Sequence, residues 1–581
     1  MKTMTLRTRM LAIASFFIAG GCFAQENFSW KELINETCFL DTAKFREVRS
    51  KDPMISFPMY YGYVHNEEFL IVNIDSWVTS ETYEIPTHLT PKDSDKSYKV
   101  TGIYGACGNK YPPNVPSYAQ WNISPLEKVQ ELVIPSTVRE VLRGAFARFT
   151  NLKTLRIPKT VTTIETPMMI TSQHLDWNVD SIIVEKGNPV YDSRENCNAI
   201  IHTQSNELIA GCKNTTIPSS IEGIGPVAFY RISNLKKVDI PDNVKRIGAL
   251  AFCKSGLESV TIGSGVKRIP LRCFEDCDKL TDVVFSEGLD SIDALAFFFC
   301  ENLKSAHIPR STTYIAKYNS GITLSKEDSL KLAYLDKFST PDNHDAFLTC
   351  TGMTSFTVEE GNPIYDSRDG CNARIETKTN KLIKGISTST IPESVKIISA
   401  HAFLYGNTPK EIYLPDGLEL VEEDAIWARM DKLRIGPYLK SIHYLAIELA
   451  DTIYSDRRDA VPISKEGWRD FHKQYYENKV LYIPEGTTRY YQRQPWCFMK
   501  IKETNLLTGM EDVEGQKVVC RRYFTIGGKE IYAPIKGVFI EKLIYENGTS
   551  KSRKVYNNLL LSGKHVQGSI ITDFLALQAP P

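Results

Sequence analysis

From Ile217 to Pro309 the apolar and polar positions recur as one phrase. Written from Ile-Pro or its equivalent, "IPSSIEGIGPVAFYRISNLKKVD" is followed by "IPDNVKRIGALAFCKSGLESVT", "IGSGVKRIPLRCFEDCDKLTDVV" and "FSEGLDSIDALAFFFCENLKSAH", and Ile308-Pro309 opens another copy. The period is about 23 residues, and a fixed period between about 20 and 50 residues predicts a stacked architecture. In "LKKVDIP", Leu235, Val238 and Ile240 alternate with polar residues, which predicts a strand with its apolar side chains inward and Pro241 ending the ladder. In "VKRIGALAF", Val244 and Ile247 predict a second short inward segment. Gly248 permits the turn there, and Ala251-Phe252 begin a helical turn that drives Phe252 into the core. One repeat cannot bury its apolar face alone, so stacking is obligatory.

The same pattern extends both ways. Ile134-Pro135 and Ile157-Pro158 lie one period apart, and degenerate copies follow Leu414-Pro415, reaching Ile435-Gly436 and Ile453-Tyr454. Upstream, Tyr61 to Gly105 reads as strands ending in a degenerate first repeat at Ile85-Pro86, an N-terminal cap over the first core rung. Between them "KYPPNVPSYAQWNIS" (110–124) breaks the period and predicts a loop leaving the stack.

A longer unit is duplicated. "GNPVYDSRENCNAIIHTQSNELIAGCKNTTIPSSIEGIGPVAF" from Gly187 returns without a gap as "GNPIYDSRDGCNARIETKTNKLIKGISTSTIPESVKIISAHAF" from Gly361. Each copy predicts a hairpin turning at "QSN" or "TKTN". The repeated polar string offers Asp192, Arg194 and Asn198 as ligands, but the same residues pin a long turn through Asx-type bonds and an Asp-Arg pair. The second reading is preferred, since one stack has little use for two identical sites.

Residues 310–352 interrupt the stack, and "TLSKEDSLKLAYLDKF" predicts a helix, with Ser325 and Asp328 as a capping box and Leu330, Tyr334 and Phe338 on one face. Another helix is predicted over Ser464–Tyr476, and Trp468, Phe471, Trp496 and Phe498 are placed to roof the last rung. Past Thr504 the period is gone, and 521–556 predicts three or four short strands with turns at Gly527-Gly528, Pro534 and Asn547-Gly548. The expected organisation is a signal peptide over 1–24, a cap with a degenerate first repeat over 25–130, a repeat stack over 131–505 and a β-module with tail over 506–581. Insertions in the stack fall near 187–212, 310–352 and 361–386.

Composition narrows the function. Lys plus Arg and Asp plus Glu number 69 each among 581 residues, which gives no electrostatic footprint for nucleic acid. Lys2, Arg7 and Arg9, an apolar run from Met10 to Ala19 and small residues to Ala24 describe a secretory signal peptide, too short to span a bilayer. Two cleavage readings stay open: "AGGC" resembles a lipobox that would lipidate Cys22, and Cys22-Phe23-Ala24 fits cleavage before Gln25. There are 13 cysteines. Cys253, Cys277 and Cys300 read as one position in successive repeats, where buried thiols are preferred over a Cys253–Cys277 or Cys277–Cys300 bridge.

The phrase I-P-x-x-V-x-x-I-G-x-x-A-F-x-x-C-x-x-L-x-x-V, seen at 217–309 and partly at 132–164 and 391–440, resembles the BspA-like (type 5) leucine-rich repeats common in Bacteroidota. The resemblance implies a β-rich α/β fold, a right-handed leucine-rich-repeat solenoid, in an exported or surface-attached protein; some relatives are adhesins. The segment 521–556 is similar to the C-terminal sorting domains of type IX secretion cargo, although the chain continues beyond Tyr556.

No G-x-S-x-G, H-E-x-x-H or phosphate loop is present, and the 10 His are scattered. The expected function is therefore non-enzymatic binding, ranked ahead of a hydrolytic enzyme, with no catalytic residues, metal ligands or cofactor. The expected partner is a protein of the host matrix or a bacterial surface, with a glycan as the rival. Tyr111, Tyr118 and Trp121, in one loop, are the candidate ligand contacts. Any membrane association would run through a lipid anchor or a secretion system.

Overall fold

The computed structural model describes residue 29 and residues 46–49, 60–65, 67–74, 80–91, 95–105, 126–166, 168, 179–317, 345–404, 408–464, 471–504, 518–525, 530–531, 537–545, 550–557 and 569–573. The signal peptide, Cys22, the loop with Tyr111, Tyr118 and Trp121, the helix predicted within 310–352, and Trp468 lie outside the described residues, as do the turns predicted at Gly527-Gly528, Pro534 and Asn547-Gly548. The chain divides into two compact units, 1–389 with 401–408, and 390–400 with 409–581.

In the first unit an antiparallel hairpin, Tyr60–His65 with Glu68–Ile74, runs into a parallel ladder through Tyr98–Ile103, Glu140–Val141 and Thr163–Ile164. The rung strands build parallel sheets beside it. Thr82–Glu84, Glu131–Val133, Thr154–Ile157 and Ser181–Val184 form one, and Lys237–Ile240, Ser259–Ile262 and Asp282–Phe285 another. Val238 sits beside Val260 and Val260 beside Val283, a step of 22 and then 23 residues. Strand alternation then dictates the layering: Val238 and Ile240 are buried, while Lys237 and Asp239 face solvent.

The Phe position closes the core. Phe229, Phe252, Phe274, Phe297 and Phe347 form one column, with ring centroids 4.9, 5.2, 5.1 and 5.1 Å apart and planes within 9° of parallel. That spacing follows the roughly 4.8 Å separation of neighbouring strands, which sets one ring per rung.

The segment that carries Phe252 is not the helical turn expected from sequence. Its amides alternate in direction. Ala251, Cys253 and Ser255 donate back to Gly248, Leu250 and Phe252, whereas Leu250, Phe252 and Lys254 donate to Leu271, Cys273 and Glu275 of the next rung. Leu250 and Lys254 adopt φ of 58° and 59°, and these left-handed residues break any helix. Gly248 is needed for close approach: a Cβ there would lie 2.2 Å from the Pro226 nitrogen.

The cysteine register also needs correction. Cys277 and Cys300 do occupy equivalent places, but the residue matching them one rung earlier is Ser255, whose Oγ lies 3.4 Å from Cys277 Sγ. The thiols of Cys277, Cys300 and Cys350 each donate to a Phe carbonyl of the preceding rung, at 3.1, 3.0 and 3.2 Å. Cys253 packs elsewhere, with Val227, Leu250 and Tyr230. All of these thiols are free and buried, and burial pushes Cys277 up to about 12.

Each duplicated unit is a hairpin grafted onto the stack: Ile200–His202 pairs with Glu207–Ala210 around a turn at Thr203–Asn206, and Arg374–Glu376 pairs with Lys381–Lys384. In the second unit, Glu411–Tyr413, Met430–Ile435, Ala450–Ser455, Val480–Pro484 and Lys500–Thr504 form one parallel sheet. The helix predicted over Ser464–Tyr476 is not found in its described part, where Ile463–Ser464 is a strand and Lys473–Tyr475 a single 3-10 turn. Trp496 is fully buried, its indole N–H donating to the Val461 carbonyl at 3.3 Å. The C-terminal strands Val518–Thr525, Glu530–Ile531, Gly537–Tyr545, Ser550–Asn557 and Ser569–Asp573 form an antiparallel sheet. The last of these lies in a tail whose sequence had no readable pattern.

Candidate functional site

Three places gather the chemistry that a binding protein could use. The first is the repeated polar string. Arg194 lies 2.6 Å from Asp192 and donates to Asn206 Oδ1 at 3.1 Å, and its own amide donates to Asp192 Oδ1. Asn198 donates to the Asn214 carbonyl and accepts from Ser181 Oγ. Arg368, Asp366 and Asn380 repeat the Arg194 arrangement. Every group is turned toward the chain's own backbone or a neighbour, so the string shapes a turn.

The second is Glu423, Asp424 and His443, whose donor atoms cluster closely enough to hold a metal. His443 is buried, and its Nδ1 accepts the Asp424 amide at 3.2 Å. Nδ1 also lies 3.3 Å from Asp424 Oδ1, and both contacts tie the ring to the turn where Asp424 sits at φ 48°. The contact holds a turn.

The third is the solvent face of the second unit's sheet. Register places Tyr413 beside Arg434, Arg434 beside Tyr454, Tyr454 beside Tyr482 and Tyr482 beside Lys502. These residues form one outward row because each lies at an odd step from the buried Ile412, Leu433, Ile453, Leu481 and the half-buried Ile501. Tyr454 and Tyr482 stack with centroids 4.8 Å apart and planes 7° from parallel. Lys502 Nζ lies 5.4 Å from the Tyr482 centroid. Arg434 is held by Asp456 at 2.6 Å, and in the neighbouring row Lys432 pairs with Glu411 at 2.8 Å.

The corresponding face of the first unit is plainer. Its rows read Lys237, Ser259, Asp282 and Asp239, Thr261, Val284. Among the described residues, the large apolar side chains left exposed in the first unit are Val133, Val284, Phe299, Tyr314 and Ile364, while in the second they are Tyr413, Trp427, Tyr438, Tyr475 and Tyr490. The second set is wholly aromatic with a polar handle, the kind of side chain that anchors interfaces. No nucleophile and base stand together in the outward row.

Sequence reading missed this row. The signal lies in "EIYLP", "LRIGP", "TIYSD", "LYIPE" and "KIKET", where the residue after each core Ile or Leu is Tyr, Arg or Lys depending on the rung. The register that aligns those five positions is degenerate in sequence. Tyr111, Tyr118 and Trp121 are not among the described residues, so the structure brings nothing to them.

Stacked parallel strands, an inward Leu/Ile/Val/Phe lattice and outward variation define a leucine-rich repeat fold. Residues 122–211, 205–319 and 374–444 match the sequence model of the BspA type leucine rich repeat region, in 6 copies. Among solved structures, a leucine rich cell surface protein from Faecalibacterium prausnitzii is similar at 17% identity, covering 70% of this chain and 88% of that one, with a TM-score of 0.33. A leucine-rich repeat protein from Bacteroides ovatus is 14% identical over 78% of this chain and all of its own, with a TM-score of 0.30. The pneumococcal vaccine antigen PcpA is 15% identical over 79% of this chain and 97% of its own, with a TM-score of 0.29. A search of the curated proteins finds no match. Among the described residues no helix is long and apolar enough to cross a membrane.

Proposed function

We propose that this chain is an exported, surface-associated binding protein that recognises a protein ligand through the Tyr413–Arg434–Tyr454–Tyr482–Lys502 row. The basic, apolar and small-residue order of the N-terminus supports export, as does the similarity of 521–556 to sorting domains. The observation that carries the reading is the stacked Tyr454–Tyr482 pair, flanked by Arg434 and Lys502. A sugar ring binds an aromatic side chain by its flat face. Here the two tyrosines cover each other's inner faces, Lys502 takes the outer face of Tyr482, and register sets Arg434 on the other side of Tyr454. What remains outward is a ridge of ring edges and hydroxyls beside Lys502 and the Asp456-paired Arg434, which suits main-chain carbonyls and carboxylates of a protein partner.

The test is binding of the purified chain to immobilised host matrix proteins, bacterial surface proteins and a glycan array. Wild type should bind a protein and not the glycans, and Tyr454→Ala with Tyr482→Ala should abolish that binding while the protein stays folded. Protein binding that survives the double change, or binding to glycans alone, overturns the proposal.

A further inference from the structure

The two duplicated hairpins differ at a pair of inward positions. In the first, Ile200 stands opposite Ala210, and both are buried among apolar neighbours. In the second, the same cross-strand pair is Arg374 opposite Lys384, with 0% and 6% of their surfaces exposed. Like charges directly opposite on paired strands repel, and a guanidinium cannot shed its proton to escape burial.

The neighbouring groups only partly answer these charges. Asp345 lies 3.5 Å from Arg374 Nη2 and 3.7 Å from Lys384 Nζ. The Tyr365 ring lies 5.5 Å from the guanidinium carbon. Glu376, two residues along the strand, is held by Lys317 at 3.3 Å and Thr379 at 2.5 Å. Among the described residues two cations therefore share one carboxylate, and Nε and Nη1 of Arg374 are buried with no acceptor. A desolvated guanidinium short of acceptors is among the costliest groups a fold can bury, so the arrangement calls for one more negative charge.

We propose that Arg374 and Lys384 form a binding site for a small monovalent anion, a halide or a short carboxylate such as formate. A single charge is required because one negative group already balances one of the two cations, and a small ion because neither side chain reaches solvent appreciably. The first hairpin is the built-in control: the same backbone with Ile200 and Ala210 has no charge to satisfy.

The experiment is thermal unfolding of the full chain in sodium chloride, sodium formate and sodium gluconate at matched ionic strength. Chloride or formate should raise Tm by roughly 3 °C or more over gluconate at saturation. A response to chloride identifies a halide site, and one to formate alone a carboxylate site. The variant Arg374→Ile with Lys384→Ala, which installs the residues of the first hairpin, should unfold at the same Tm in all three salts. Equal Tm values for wild type, or a salt-specific shift that persists in the variant, overturn the proposal. Bromide-soaked crystals of wild type give a second readout that does not depend on the variant folding. An anomalous peak within hydrogen-bonding reach of Arg374 supports the site, and water or a side chain of the chain itself on both free nitrogens overturns it.

Discussion

Tyr454 and Tyr482 lie far apart along the chain, yet their rings stack 4.8 Å apart on the open face of one sheet. The spacing equals one strand step, so the pair is a direct product of parallel register. Burial against its neighbours raises the Tyr454 phenol above its ordinary value, keeping it a neutral hydrogen-bond donor.

If the row is the binding surface, truncating either tyrosine should weaken the protein complex by about 30-fold, the cost of a typical interface anchor of about 2 kcal/mol. Because both lie on the open face, Tm should move little. Titration calorimetry and a melting curve on Tyr454→Ala and Tyr482→Ala check this, and a large Tm loss with unchanged affinity would contradict it.

The Phe column predicts where the first unit is most sensitive. Phe274 stacks on Phe252 and Phe297 and is fully buried. Phe274→Ala should cost about 4 kcal/mol, from lost transfer energy and a cavity between two rigid rungs. Urea unfolding measures it; a loss under about 1 kcal/mol would mean that the column collapses around the gap.

Two substitutions test the left-handed turn against the close-packed one. Gly248→Ala puts a methyl group against the Pro226 backbone, 2.2 Å from its nitrogen, and should destabilise by about 2 kcal/mol. Lys254→Gly should do the reverse and stabilise by roughly 0.5–1 kcal/mol, because glycine relieves the strain of φ 59°. The ion pair lost with it, to Asp276 at 3.4 Å, is long and only half-buried and contributes little. Denaturant midpoints of opposite sign are the expected result.

The last rung carries a pH signature. Glu503 accepts from the Thr488 hydroxyl at 2.7 Å and the Thr488 amide at 2.9 Å, and these bonds draw its carboxyl down to about 2. A depressed folded value means that the unfolded chain binds the proton first as pH falls. The contribution is therefore present above about 4.5 and lost as pH drops toward 2. Glu503→Gln should flatten the stability profile across that window and leave it parallel to wild type at neutral pH. Superimposable acid-unfolding curves would show that the bonds do not persist in solution.

Residue by residue, the repeat made the core legible. Val238, Ile240, Val244, Ile247 and Phe252 were assigned inward from sequence, and all five are buried. The turn around Leu250 was not legible, because an apolar Ala-Leu-Ala-Phe run reads as helix, and only the next rung's carbonyls draw its alternate amides outward. The thiol column was misaligned for a related reason: sequence adjacency to Phe suggested Cys253, whereas the geometry of the coil selects the third residue after Phe252, Phe274, Phe297 and Phe347, namely Ser255, Cys277, Cys300 and Cys350.

The sequence by itself determined that the chain must stack, which side chains face inward, and that the polar strings of the duplicated hairpins hold turns. Those features depend on contacts within a period or between adjacent ones, and a period is visible in one dimension. The tertiary structure alone decided what the outward positions assemble. Tyr454 meets Tyr482 and Lys502 only through interstrand register, which degenerate repeats do not spell out. Asp345 meets Arg374 and Lys384 from 29 residues or more away, where the electrostatic demand of a buried cation becomes apparent only after its neighbours are known.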